Sequence, residues 1–177
     1  AGIDPRQDLP WFEEPREELV QQAQALLQSL GAVGPDMRIR ALGKQMARFP
    51  VHPRYARLML GGESLGCVSE ICEIVAIAEE RRLLLPLEDK RKEQERENWL
   101  QAPPGSDFFP VMAALQAARD RQFERKFCEQ WGIHAQSARR VDQIASQYRK
   151  IAKDLGLSLR TEKASADVIR ECLAWGF

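Results

Sequence analysis

Aromatic residues are scarce, 7% of 177, and β-branched residues are few beside Ala, Leu, Gln, Glu, Arg and Lys. That composition works against a sheet-based fold and favours helix. Long apolar runs are missing. None approaches the roughly 20 residues that span a bilayer, and the stretch Ala1 to Gln7 has none of the parts of a signal peptide. No membrane partner and a cytoplasmic location are expected. Net charge is missing too: 26 Lys and Arg balance 26 Asp and Glu, which argues against coating of nucleic acid through bulk positive charge.

Equipment for catalysis is lacking as well. The four cysteines, Cys67, Cys72, Cys128 and Cys172, form no CxxC pair, and neither His52 nor His134 is spaced to complete a zinc set. No metal is expected, and the thiols read as small apolar core groups. An NTP-driven motor needs a glycine-rich phosphate loop ending in Lys-Ser or Lys-Thr, plus an acidic metal-binding strand. Gly43-Lys44-Gln45 has neither the upstream glycine nor the hydroxyl, and no DExH sequence occurs. Both histidines stand where a helix begins and read as caps, with no serine elbow or cysteine partner for a triad. We expect no catalytic residue and no cofactor in this segment.

What is present is helical pattern. Residues 1–14, with Leu9, Trp11 and Phe12 as one apolar cluster, read as a lead-in. Pro15 to Leu30 reads as a helix: Pro15 suits its first turn, Glu17 and Glu18 complement the dipole, and Leu19, Ala23, Leu26, Leu27 and Leu30 form one stripe. Pro53 to Leu60 is a second helix, ended by Gly61-Gly62 or running one turn past them. Ser69 to Glu80 is apolar over so broad a surface that it belongs at the centre. The charged block Glu88 to Asn98 has no stripe and reads as an exposed helix or connector. Gln101 to Gly105 is a breaker. Beyond it Ser106 caps a long helix carrying Phe109, Met112, Leu115, Phe123 and Phe127, which Gly132 interrupts. The best-patterned helix follows His134, with Ala138, Val141, Ile144, Ala145, Tyr148, Ile151 and Ala152 at spacings of three and four. Gly156 ends it, and Ser165 caps a last helix with Val168, Ile169, Cys172 and Leu173.

The stretch from Leu30 to Leu60 organises the rest. Gly31 can take the left-handed position after a helix, Gly34-Pro35-Asp36 give a turn, and Met37 to Arg40 a short extended piece. Ala41 to Phe49 is a short helix with Leu42, Met46 and Phe49 on one face. Pro50 ends it, and Pro53 opens the next with His52 as cap. The expected fold is all-α with at most one small β-hairpin: a winged-helix-like unit over 15–65, then a helical bundle over 66–177, with a charged connector near 86–105.

Leu30-Gly31-Ala32, then Leu42-Gly43, then Phe49-Pro50-Val51-His52-Pro53-Arg54, resembles the helicase-associated region of DEAH-box ATP-dependent RNA helicases, most closely its bacterial form. Ser106-Asp107-Phe108, Phe127-Cys128 and Ser137-Ala138-Arg139-Arg140-Val141 are similar to the helical bundle called the ratchet in the same proteins. Cys172 to Phe177 resembles the helix end that precedes their OB-fold. The likeness covers nearly all of residues 9–177, and both ends look like points of excision from a longer protein. It implies a non-catalytic accessory region that braces the motor domains of the same polypeptide and lines a channel for single-stranded RNA or other nucleic acid. ATP and Mg would then belong to the motor domains, and the chain would be a monomer.

Charge is segregated along the chain. Residues 36–60 carry Arg38, Arg40, Lys44, Arg48, Arg54 and Arg57 against Asp36 alone, and a second basic concentration runs from Arg119 to Lys153. Arg139 and Arg140 begin a helix whose other face is buried, so at least one points outward, where a guanidinium can hold phosphate. An ion pair to Glu124, Glu129 or Asp142 would account for them equally well. Two rivals stand beside the helicase reading. One is a stand-alone winged-helix DNA-binding regulator that reads bases with Lys44, Gln45 or Arg48. The other is an adaptor with no nucleic-acid role.

Overall fold

The computed structural model describes residues 10–80 and 82–175. Leu9, Gly176 and Phe177, which figured in the lead-in and the terminal motif, lie outside the described residues. The described chain is all-α. Its helices are α1 (Glu17–Ser29), α2 (Ala41–Met46), α3 (Pro53–Leu65), α4 (Val68–Glu79), α5 (Lys90–Leu100), α6 (Phe108–Asp120), α7 (Arg125–Gln130), α8 (Ala135–Asp154) and α9 (Ala166–Leu173). Extended pairing among the described residues is confined to two single antiparallel bridges, Val33 with Ile39 and Leu84 with Ile133.

The turn chemistry of the first sixty residues follows from a few positions. Gly31 sits at φ 72°. Its N–H bonds Gln28 O, and that of Ala32 bonds Leu27 O, both at 2.9 Å, which satisfies carbonyls that the end of α1 leaves open. The chain then doubles back: Gly34 N–H meets Arg38 O, and Arg40 N–H meets Ala32 O. Onto this small corner α2 presses Gly43 so closely that a Cβ there would lie 2.2 Å from Ala32 O. Only glycine permits that approach. Helix α2 ends at Met46, short of the expected Phe49, because Arg48 and Phe49 turn tighter and bond back only three residues. Met46 and Phe49 are nonetheless buried, as their spacing required.

Three expectations are corrected. Pro15 does not open α1: Arg16 is the extended cap residue and its carbonyl takes the first helical N–H groups, so Pro15 stays outside. The stripe of α1 is only thinly covered. Leu30 is buried and Leu26 and Leu27 half-buried, but Leu19 is 48% exposed and Ala23 is exposed. The long helix expected from Ser106 to Gly132 is two helices, α6 and α7. The break is made by Gln122 and Phe123, both at positive φ, whose N–H groups turn back to Arg119 O and Ala118 O. No glycine marks that break, so the sequence carried no punctuation for it.

Helix α3 does run past Gly61-Gly62, to Gly66 at φ 70°. Those two glycines serve contact and not termination: a Cβ on Gly61 would meet the Trp175 ring at 2.9 Å, and one on Gly62 the Val68 backbone at 3.2 Å. Helix α4 is central, as expected. Val68, Ile71, Cys72, Ile74, Val75 and Ala76 are all essentially inaccessible, and α3, α6 and α8 pack around it. Helix α5 buries no residue.

Candidate nucleic-acid interface

Helix α8 is set by its first residues. Gly132, at φ 63°, gives its carbonyl to Leu85 N–H at 2.7 Å, and His134 N–H bonds Leu83 O at 2.8 Å, which pins the helix start to the strand-like segment 83–85. His134 is the expected cap. Its Nδ1 accepts the Ser137 N–H at 3.2 Å and lies 2.8 Å from Ser137 Oγ, and that hydroxyl donates to Glu80 at 3.0 Å. His52 caps α3 likewise by accepting Arg54 N–H.

Carboxylates along α4 then hold α8 antiparallel to it. Glu80 takes Ser137 and stands 3.6 Å from Arg140 Nε. The Tyr148 hydroxyl donates to Glu79. Glu73, itself buried, takes Arg149 at 3.0 Å and Arg119 at 3.1 Å, while Arg119 also reaches Asp142 at 2.7 Å. Burial works against the Arg119 charge, but Glu73 and Asp142 outweigh it and raise its pKa. Burial and the bond to Glu79 likewise raise that of Tyr148. The charges of Glu73, Arg119, Asp142 and Arg149 belong to the helix seam. They are satisfied there and are not offered to a ligand.

Arg139 and Arg140 both lie on the surface. Arg139 Nη2 donates to Phe123 O at 3.0 Å, and its guanidinium lies over the Phe123 ring at 5.8 Å. Arg140 is 71% exposed and faces Glu80. Two of the three carboxylates foreseen as their partners are engaged elsewhere, Asp142 by Arg119 and Glu129 by Arg125. Beside Arg139 a cleft of about 620 Å³ opens between segment 85–87, α7 and the start of α8, with Arg125, His134 and Gln136 on its walls. The same wall carries Glu129, paired with Arg125, so the guanidinium that this groove can offer a phosphate at the opening of the twenty-residue helix is that of Arg139. Sequence reasoning missed Arg125, which carries no pattern of its own and is placed only by the unforeseen break before α7.

On the other basic stretch Lys44, Gln45 and Arg48 are exposed, with Gly43, Met46 and Phe49 turned inward. The four cysteines are buried and free, as expected for core thiols, and burial pushes Cys72 up to about 12. Among the described residues no three His, Cys, Asp or Glu lie together as metal ligands, and no helix is long and apolar enough to cross a membrane.

Residues 52–140, from the cap of α3 to Arg140, match the family model of the helicase associated domain (HA2), ratchet-like, and the chain belongs to that family. It is similar over 94% of its length, at 22% identity, to the ATP-dependent RNA helicase DHX33 of Drosophila melanogaster. Over 99% it is similar to the human probable ATP-dependent RNA helicase DHX35, at 22%, and to the ATP-dependent RNA helicase HrpA homolog of Haemophilus influenzae, at 25%. It spans 24%, 25% and 14% of those proteins respectively. The resemblance to the helicase-associated region of DEAH-box helicases, read from the Leu42-Gly43 and Pro53-Arg54 spacings, is thereby borne out.

Proposed function

We propose that this chain is the non-catalytic accessory region of an ATP-dependent DEAH-type RNA helicase. In that role the winged-helix-like part, 15–65, braces the motor domains of the same polypeptide, and the bundle, 66–177, lines a channel for single-stranded nucleic acid. The observation that carries the reading is the family match over 52–140, joined to similarity along nearly the whole chain to RNA helicases several times its length. The surface supports it: Arg139 and Arg140 stand exposed at the head of α8, Arg140 at the rim of the seam against Glu80, and Arg125, paired with Glu129, lines the groove beside Arg139. ATP and Mg would be held by the motor domains, and the protein would act as a cytoplasmic monomer.

The test is a titration of labelled single-stranded RNA, single-stranded DNA and random duplex at two salt concentrations. The chain should bind single strands weakly, prefer them to duplex, ignore sequence and lose affinity steeply with salt. Arg139→Ala with Arg140→Ala should weaken all strands alike and lower the salt slope by up to about 2. Tight binding to one duplex, unaffected by that pair and carried by Lys44, Gln45 or Arg48, would overturn the proposal in favour of a winged-helix regulator. No binding at low salt would leave an adaptor.

A further inference from the structure

The proposed role leaves the four thiols unused, and two of them meet. Cys67 is the residue from which α4 starts, and its N–H bonds Gly62 O at 2.9 Å. Cys172, on α9, sets its sulfur 3.6 Å from Leu58 O. Leu58 and Gly62 lie one turn apart on the same side of α3, so one helix brings both cysteines to one place. The Cys172 S–H there stands between two acceptors, Leu58 O and the Cys67 sulfur. Both residues are wholly inaccessible.

The bond between them divides their chemistry. It lowers the pKa of Cys67 against the effect of burial, and together with burial it raises that of Cys172. Cys67, at the opening of α4, is thus the member that forms a thiolate, and Cys172 is the proton donor. Burial would keep such a pair inert if α9 never moved. The strap that follows α8, residues 157–175, is thinly held, however. Of its eight residues α9 buries Ile169 and Cys172 alone. Ser158 N–H to Glu63, Ala164 N–H to Glu70 and Arg170 to Pro104 O tie the edges of the strap. Beneath it lies a cavity of about 600 Å³, with Phe109 and Met112 of α6 on the opposite wall. A segment with so little buried contact opens locally at low cost.

We propose that Cys67 and Cys172 are a reversible redox pair, which a hydroperoxide joins into a disulfide that locks the 157–175 strap onto α3 and α4. The Cys67 sulfur attacks one peroxide oxygen, the O–O bond breaks, the sulfur is oxidised to a sulfenic acid and the other oxygen leaves as water. The Cys172 sulfur then displaces that hydroxyl as a second water, and the S–S bond forms. The thiols give up two electrons and two protons in all, and the peroxide takes both. In a reducing cytosol such a bridge is transient, a switch and not a permanent staple. The pair acts independently of any nucleic acid.

The experiment treats the folded 177-residue chain with hydrogen peroxide and reads a non-reducing peptide map and amide exchange. The map should join the Cys67 and Cys172 peptides with loss of two hydrogen atoms, and dithiothreitol should separate them. Exchange across α9 should slow in the oxidised chain, and a bridge that closes so long a loop should raise the urea midpoint. Cys172→Ser should instead leave Cys67 as a sulfenic acid, which dimedone captures, and Cys72→Ser should still bridge. Oxygen added at Cys67 of the unaltered chain without a bridge, a bridge through Cys72 or Cys128, or one between chains overturns the inference, whatever the variants do. So does a folded chain whose cysteines stay reduced while the urea-unfolded chain is oxidised, since the strap then never exposes the pair. A bridge between Cys67 and Cys172 that leaves α9 exchange unchanged overturns the lock.

Discussion

Helices α1 and α4 both carry apolar positions, one stripe in α1 and a ring in α4, and they meet opposite fates. In α4 the side chains from Val68 to Ala76 are almost entirely removed from water, and charged residues at its edge are tied into α8. In α1 no residue is fully buried, Leu19 stays 48% exposed, and Trp11 and Phe12 before it are exposed as well. An amphipathic pattern says that a helix has an apolar side. What covers that side is decided by the rest of the chain, and by whatever else the region docks on. In the proposed helicase that cover would be the motor, which α1 and the residues before it would face.

The contrast can be broken most directly by cutting into each stripe. Ile74→Ala in α4 should destabilise the chain by about 2–5 kcal/mol in urea unfolding, from lost transfer energy and the cavity left behind. Leu19→Ala should stay within about 0.5 kcal/mol. Similar losses at both sites would show that α1 is covered in solution. Gly43→Ala sharpens the contrast from the other side. It tests whether the cohesion of the first sixty residues lies in the α2 corner and not in α1. Its Cβ would collide with Ala32 O, and forced repacking should cost about 1–3 kcal/mol, read as a lower urea midpoint. An unchanged midpoint would mean that α2 does not press on the corner.

A further effect is expected in alkali, and it concerns α4. Burial raises the Cys72 thiol from 9.0 to about 12. The folded chain therefore keeps a proton that the unfolded chain has released. The contribution is whole below about pH 9 and is lost as pH rises towards about 12. The slope should reach at most about 1.4 kcal/mol per pH unit. Unfolding curves at pH 8, 10 and 11 should fall less steeply for Cys72→Ala than for the original chain. Parallel curves would mean that water reaches the thiol.

Much of this was legible from the residues. Gly31, Pro53, His52, His134 and Ser165 punctuate the helices where local chemistry says they should, since caps act over a few residues. Buried α4 was legible because apolar side chains ring it. Leu19 was misjudged, being exposed, while Leu26 and Ile144 pack against the core but stay half-buried, because periodicity finds a face but not its depth. The break at Gln122 and Phe123 was hidden, as both residues take up left-handed geometry that their types do not announce. At the candidate site Arg139 and Arg140 were found as a charged pair on a helix. Their actual partners, Phe123 and Glu80, depend on that hidden turn and on the packing of α4 against α8, and neither is a local property.

The α4–α8 seam has one more consequence, for chain length. Ser137 and Glu80 are 57 positions apart, and their direct bond fixes helix register whatever runs between them. Closing a flexible loop costs entropy that grows only as the logarithm of its length, so ten extra residues in that interval add only about 0.1 kcal/mol. Helix α5 and the breaker after it, which bury little, lie inside this interval. Insertions in that interval should therefore cost this chain little, while the seam keeps its register and the arginines at the head of α8 keep their place.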